Sequence, residues 1–178
     1  PVVKFPFSRN PQFQSQIELA VTMFNNNEYE SAFQLFNLSL QTSSENSVQP
    51  FDEGISMCYF YLSLIFERKG DFKSAFASCL KSLIVQENVN DQPCPDIAIK
   101  YYLLGRYAQQ LGSLTLSFAF ADRAANLASV IFPGHPWVNA QFLNAAIFAF
   151  NASPSFAIKY CQSKLSFCNT ETEEGKKQ

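Results

Sequence analysis

The chain has 178 residues, 47% of them hydrophobic and only 16% charged, so it is long enough to bury a core and too apolar for disorder. Its formal net charge is -2, and its 13 Lys and Arg are scattered, the densest pairs being Arg68–Lys69 and Lys176–Lys177. That scatter excludes the basic face on which nucleic-acid affinity rests, and the longest apolar stretch, Ala145–Phe150, is far too short to cross a bilayer.

In chain order, apolar residues recur at helical spacing in eight segments. Helices are predicted at Gln12–Asn26, Glu28–Thr42, Phe51–Lys69, Phe72–Val89, Asp96–Leu111, Leu114–Val130, Pro136–Phe150 and Pro154–Phe167. Tyr59, Leu62, Ser63 and Phe66 show the spacing before a turn, and Phe72, Ala75, Phe76, Cys79 and Leu83 show it after one. Gly70 and Gly112 stand where a helix ends in a left-handed residue, which glycine reaches without steric cost. Asp71 and Ser113 are placed to cap the helices that follow. Polar or Pro-bearing connectors at Ser43–Pro50, Asn88–Pro95 and Phe132–Pro136 separate the pairs, and Pro136 and Pro154 suit first helical positions.

The pairs are copies of one another. Ala32, Ala75, Ser117 and Ala157 each follow a short turn, at intervals of 43, 42 and 40 residues. A fixed period of that length signals stacked helical repeats, each unit burying its apolar face on its neighbour. The predicted fold is therefore all-α, a solenoid of four antiparallel helix pairs. The repeats span about 12–44, 51–89, 96–130 and 136–168, between an N-terminal extension (1–11) and a polar tail (169–178). Beginning at Pro1 without Met, the chain reads as a piece of something longer.

This pattern resembles the tetratricopeptide family. Tyr59, Leu62, Ser63, Phe66, Gly70, Asp71, Phe72, Ala75, Ser82 and Leu83 carry the resemblance in the second unit. Leu19, Ala20, Tyr29, Ala32, Phe36, Ser39 and Leu40 match in the first, and Tyr101, Leu104, Gly105, Gly112 and Ala124 in the third. The fourth has only Ala145, Phe148, Ala157 and Leu165 and lacks the turn glycine, as a capping repeat would. Small residues (Ala20, Ser63, Gly105, Ala145) let paired helices approach while Phe36, Phe66 and Phe148 fill the space beside them. The usual period in that family is shorter. A spacing near 42, with Pro133-Gly134-His135-Pro136-Trp137-Val138 opening the fourth unit, is similar to the kinesin-light-chain-like branch.

The resemblance implies a right-handed superhelix with a concave groove lined by the first helix of each pair. Carried over position by position, the expected partner-binding residues are Phe24, Asn25, Phe60, Leu64, Arg68, Tyr102, Arg106, Gln109 and Phe142. Ile17, Val21, Met57, Glu67, Ile99, Gln110, Asn139, Ala146 and Phe150 extend the same surface. Such a groove would take a protein or peptide with hydrophobic anchors, with Arg68 or Arg106 meeting a carboxylate. The clamp that holds chaperone C-terminal tails requires Lys and Asn four apart in the first helix. Here Gln16 and Ala20, or Ile17 and Val21, stand there, and Tyr102 precedes Arg106, so that ligand is not expected.

No chemistry is expected of the chain, and no cofactor. His135, the one histidine, lies between Gly134 and Pro136 without an acidic or Cys neighbour, and reads as a turn or cap residue. Cys58, Cys79, Cys94, Cys161 and Cys168 form no C-x-x-C pair, which argues against zinc and for reduced thiols in the cytoplasm or nucleus. Asn37-Leu38-Ser39 and Asn151-Ala152-Ser153 read as chance sequons. The expected function is a non-catalytic interaction module. The alternatives are an accessory domain of a larger enzyme, such as a SET-domain methyltransferase, and a self-associating scaffold or homodimer.

Overall fold

A computed structural model of the chain describes residues 8, 10–45, 50–90 and 92–174, except the side chains of 44, 45 and 165–174. Most of the N-terminal extension, residues 46–49 of the expected connector, Asp91, the side chains of Leu165 and Cys168, and the tail from 175 on lie outside the described residues. The described residues form eight helices and no strand. They are α1 (Pro11–Asn25), α2 (Tyr29–Glu45), α3 (Glu53–Arg68), α4 (Phe72–Val89), α5 (Pro95–Gln110), α6 (Leu114–Ile131), α7 (Pro136–Ala152) and α8 (Pro154–Glu174). Each helix packs on the next, and α1 also touches α3, so contacts stay between neighbouring units as in a solenoid. Two helices outrun the sequence reading by three residues or more: α2 reaches Glu45, and α8 continues to Glu174 through part of the segment expected to be tail.

The turns within pairs follow from backbone chemistry. The N–H of Glu28 donates to Met23 O at 2.9 Å, that of Asp71 to Phe66 O at 3.0 Å, and that of Ser113 to Ala108 O at 2.8 Å. This closure of a helix end needs a left-handed residue just before the donor. Asn27 (φ 66), Gly70 (φ 74) and Gly112 (φ 78) supply it. Asn tolerates that region better than other side chains, and the Tyr29 hydroxyl is hydrogen-bonded to Asn27 Oδ1. In the fourth pair Ser153 is extended (φ -164) and α8 begins directly at Pro154.

Losing the left-handed residue shortens that turn and shifts register. The buried stripe of α5 (Ile97, Lys100, Leu104, Tyr107, Ala108) recurs in α7 as Val138, Gln141, Ala145, Phe148 and Ala149. Those positions are 41 apart, whereas the second-helix anchors Ser117 and Ala157 are 40 apart. Groove positions carried into α7 by the anchor period therefore fall one residue out of place.

Caps mostly match expectation. The Asp71 carboxylate accepts from the Ser74 N–H at 3.0 Å, and hydrogen bonding to the Ser74 side chain, then to that N–H, holds its pKa below the usual value. His135 Nδ1 accepts from the Trp137 N–H at 3.1 Å, a capping role. Ser113 makes no side-chain cap bond, contrary to the sequence reading, so the turn at Gly112 carries that helix start.

The core is a chain of three clusters, one per junction. The first joins Ala20, Ala32 and Phe36 to Ile65; the second joins Ala75 and Cys79 to Tyr107; the third joins Ala121 and Ala145 to Phe148. The expected anchors Ala32, Ala75, Ser117 and Ala157 are all buried. Gly105 shows why the small positions are small. A Cβ there would lie 3.0 Å from Ser117 O, 3.3 Å from Ala121 N and 3.3 Å from Phe148 Cε2.

Candidate functional site

The first helices of the pairs bring together part of the expected groove. Phe24 of α1 meets Tyr61 of α3 edge-on at 5.0 Å and Tyr29 at 5.3 Å, and Phe60 meets Tyr61 at 5.7 Å. Arg68, exposed at the end of α3, lays its guanidinium 4.5 Å from the Tyr29 ring centre and 5.7 Å from that of Phe24. Such contacts contribute on the order of 0.5–1 kcal/mol at exposed sites, so they orient Arg68 without using its hydrogen-bond donors. Tyr61 and Tyr29, absent from the expected site, are what connect Phe24, Phe60 and Arg68.

Other expected residues are engaged or placed elsewhere. Arg106 Nη2 donates to Glu67 Oε1 at 2.7 Å, and its guanidinium lies 6.0 Å from the Tyr102 ring. Glu67 also accepts from the Tyr107 hydroxyl at 2.8 Å. A carboxylate arriving at Arg106 would have to displace an existing one. Ile17, expected on the groove, is buried in the first cluster, with its Cδ1 2.6 Å from where a Cβ on Gly54 would stand. Phe142 packs in the third cluster with the Lys164 ammonium 4.9 Å from its ring, the result of the one-residue slip in α7. Leu64 is half-buried against the second cluster, Gln109 is half-buried, and Asn25 is exposed at the end of α1.

Between α3 and α5 these helices leave a cleft of about 240 Å³ lined by Glu53, Met57, Phe60, Tyr61, Gln86, Asp96, Ile99 and Lys100. Met57, Phe60 and Ile99 were expected there; Lys100 and Gln86 were not. Lys100 is only 4% exposed, yet among the described residues its ammonium has a single hydrogen-bond acceptor, Gln86 Oε1 at 3.1 Å, and a ring, Phe60, 5.4 Å away. Gln86 belongs to a buried polar knot: Ser56 Oγ lies 2.9 Å from both Gln86 Oε1 and Ser82 O, and Ser82 Oγ donates to Ser56 O at 2.7 Å. Burial lowers the Lys100 pKa from its ordinary value, opposed by the nearby carboxylates, Asp96 foremost. A buried cation with unused donors, aromatic and aliphatic walls, and Glu53 and Asp96 alongside can hold an apolar anchor next to a hydrogen-bond acceptor.

Among the described residues no group of three or more His, Cys, Asp or Glu is disposed to hold a metal, and no helix is long and apolar enough to cross a membrane.

Helix pairs joined by tight turns, stacked unit on unit, with their first helices lining one face, define a TPR-like helical-repeat solenoid. Known structures share it. A kinesin light chain from Podosopora anserina with nearly identical TPR-like repeats superposes with a TM-score of 0.69 at 14% identity, over 91% of this chain and 78% of its own. A variant of that protein gives 0.68 at 14% identity, over 89% and 76%. BtubC (BKLC) from P. vanneervenii gives 0.73 at 15% identity, over 90% of this chain and 64% of its own, so this chain spans under two thirds of that relative. No protein-family model and no curated protein sequence matches the chain. At such identities the likeness is one of fold, and it agrees with the kinesin-light-chain-like resemblance of the long repeat.

Proposed function

We propose that this chain is a non-catalytic protein-interaction module that takes a peptide segment against the face formed by α1, α3 and α5. The observation that carries the reading is the cleft between α3 and α5, in which Met57, Phe60 and Ile99 stand open above the underused ammonium of Lys100. The matching segment has a bulky apolar side chain for the cleft and a backbone carbonyl or carboxylate beside it for Lys100. Arg68, steadied on Tyr29 and Phe24, meets an acidic group further along. Tyr102 and Gln109 extend the surface toward α7. Free cysteines at all four described positions accord with a reducing compartment, cytoplasmic or nuclear.

The test is selection of a random displayed-peptide library on the full chain, followed by affinity measurements with the enriched peptides. Ile99→Lys and Phe60→Ala should each weaken binding at least about tenfold, as truncating or charging a central anchor does. Ile84→Lys, which lines a separate cavity between α2, α3 and α4, should leave it unchanged. Equal affinities for all four chains would refute the cleft as the site.

A further inference from the structure

Each junction of the solenoid is built the same way. A notch of small side chains on one helix pair receives a large side chain from the first helix of the next pair. Ala20 and Ala32, with Phe36, receive Ile65. Ser63, Ala75 and Cys79 receive Tyr107, which lies beside Ser63 and Cys79. Gly105, Ser117 and Ala121 receive Phe148, whose Cε2 would be 3.3 Å from a Cβ on Gly105.

The fourth pair carries the same notch, and no side chain among the described residues enters it. Ala146, Ala157 and Cys161, with Ile147, Phe150, Ile158 and Gln162, line an open depression of about 430 Å³. In α3 and α5 the stripe beside the notch includes charged residues, Glu67 and Arg106. In α7 it is Leu143, Ala146, Ile147 and Phe150, apolar throughout. Ile147 is 48%, Phe150 59% and Ile158 60% exposed. Phe33, Phe76 and Phe118, which stand at the place of Ile158 in the earlier pairs, each pack against a ring of the following unit.

We propose that this face pairs with the same face of a second copy, giving a two-fold dimer through α7 and α8 that leaves the α3–α5 cleft outside the interface. Two observations select that occupant. The face is self-complementary, because it holds both a small-residue notch and, in Phe150, a large exposed ring to enter the partner's notch, as a two-fold interface requires. None of the described residues that line it is charged, so these identical surfaces meet without like-charge repulsion. Head-to-tail stacking lacks its key: at the position of Ile65, Tyr107 and Phe148, α1 presents the exposed Thr22, whose hydroxyl bonds to its own helix at Glu18 O.

The experiment is sedimentation velocity on the full chain across two orders of magnitude of micromolar concentration, with Ile147→Lys and Ile158→Glu alongside. Both positions are exposed, and circular dichroism checks that the variants keep their helices. The parent should form a dimer, both variants should be monomers, and maleimide labelling of Cys161 should slow as the parent is concentrated. A parent that stays monomeric throughout, a dimer that survives both substitutions, or open-ended growth in place of a dimer would each overturn the proposal.

Discussion

Gly105→Ala measures how close α5 and α6 have come. At an unconstrained mid-helix site, replacing glycine by alanine stabilises by about 0.5–1 kcal/mol, because the unfolded chain loses freedom. Here the added methyl would stand 3.0 Å from Ser117 O and 3.3 Å from Ala121 N, both backbone atoms of α6, and 3.3 Å from Phe148 Cε2. A rotamer change can relieve only the last contact. The helices must separate by a few tenths of an ångström, and overpacking of this kind costs about 1–3 kcal/mol. The unfavourable effect wins, and the variant should lose about 1 kcal/mol in urea denaturation followed by circular dichroism. Because the close contacts are with backbone, Phe148→Leu should not rescue it. A Gly105→Ala chain more stable than its parent would refute the close-packed notch on which both the repeat code and the proposed dimer face depend.

Buried ionisable groups give two further tests. The lowered pKa of Lys100 means that the folded chain binds this proton less tightly than the unfolded chain, whose value is near 10.5, so protonation favours unfolding. Its effect on stability is therefore most favourable above pH 10.5 and is lost as pH falls through the lowered folded value. Lys100→Met should match or exceed the parent in stability at neutral pH, by up to about 1 kcal/mol, since Gln86 keeps its contact with Ser56. The difference between the two chains should shrink as pH approaches 10.5. Burial pushes the thiols of Cys58 and Cys79 up to about 12, against an ordinary 9.0. Unfolded thiols ionise first, so stability should fall as pH rises from 9 toward 12. In native labelling read by mass spectrometry, Cys94 and Cys161 should react well before either.

Much of this architecture was legible in the sequence because repetition constrains it four times over. Gly70 and Gly112 marked left-handed turns, the small anchors marked buried helix contacts, and the lone histidine between Gly134 and Pro136 read as a cap. The fourth unit misled where the chain dropped the left-handed residue before Pro154. Counting from anchor to anchor hides a shortened turn, so Phe142 landed on the groove when it packs toward α8. Arg106 looked available because its partner Glu67 lies 39 residues back, in the preceding unit. Lys100 was overlooked although its position was readable: it falls on the buried stripe Ile97, Lys100, Leu104, Tyr107, where a cation must find an acceptor or a ligand. Local spacing identifies a stripe, but pairing across units depends on how they stack.

The cleft between α3 and α5 is the centre of this account, and chemical-shift mapping of the labelled chain with a selected peptide tests it most directly. The account predicts the largest shifts at Met57, Phe60, Ile99 and Lys100, with smaller ones at Phe24 and Arg68. Shifts gathered on α2, α4 and α6, with those six residues unmoved, would contradict it.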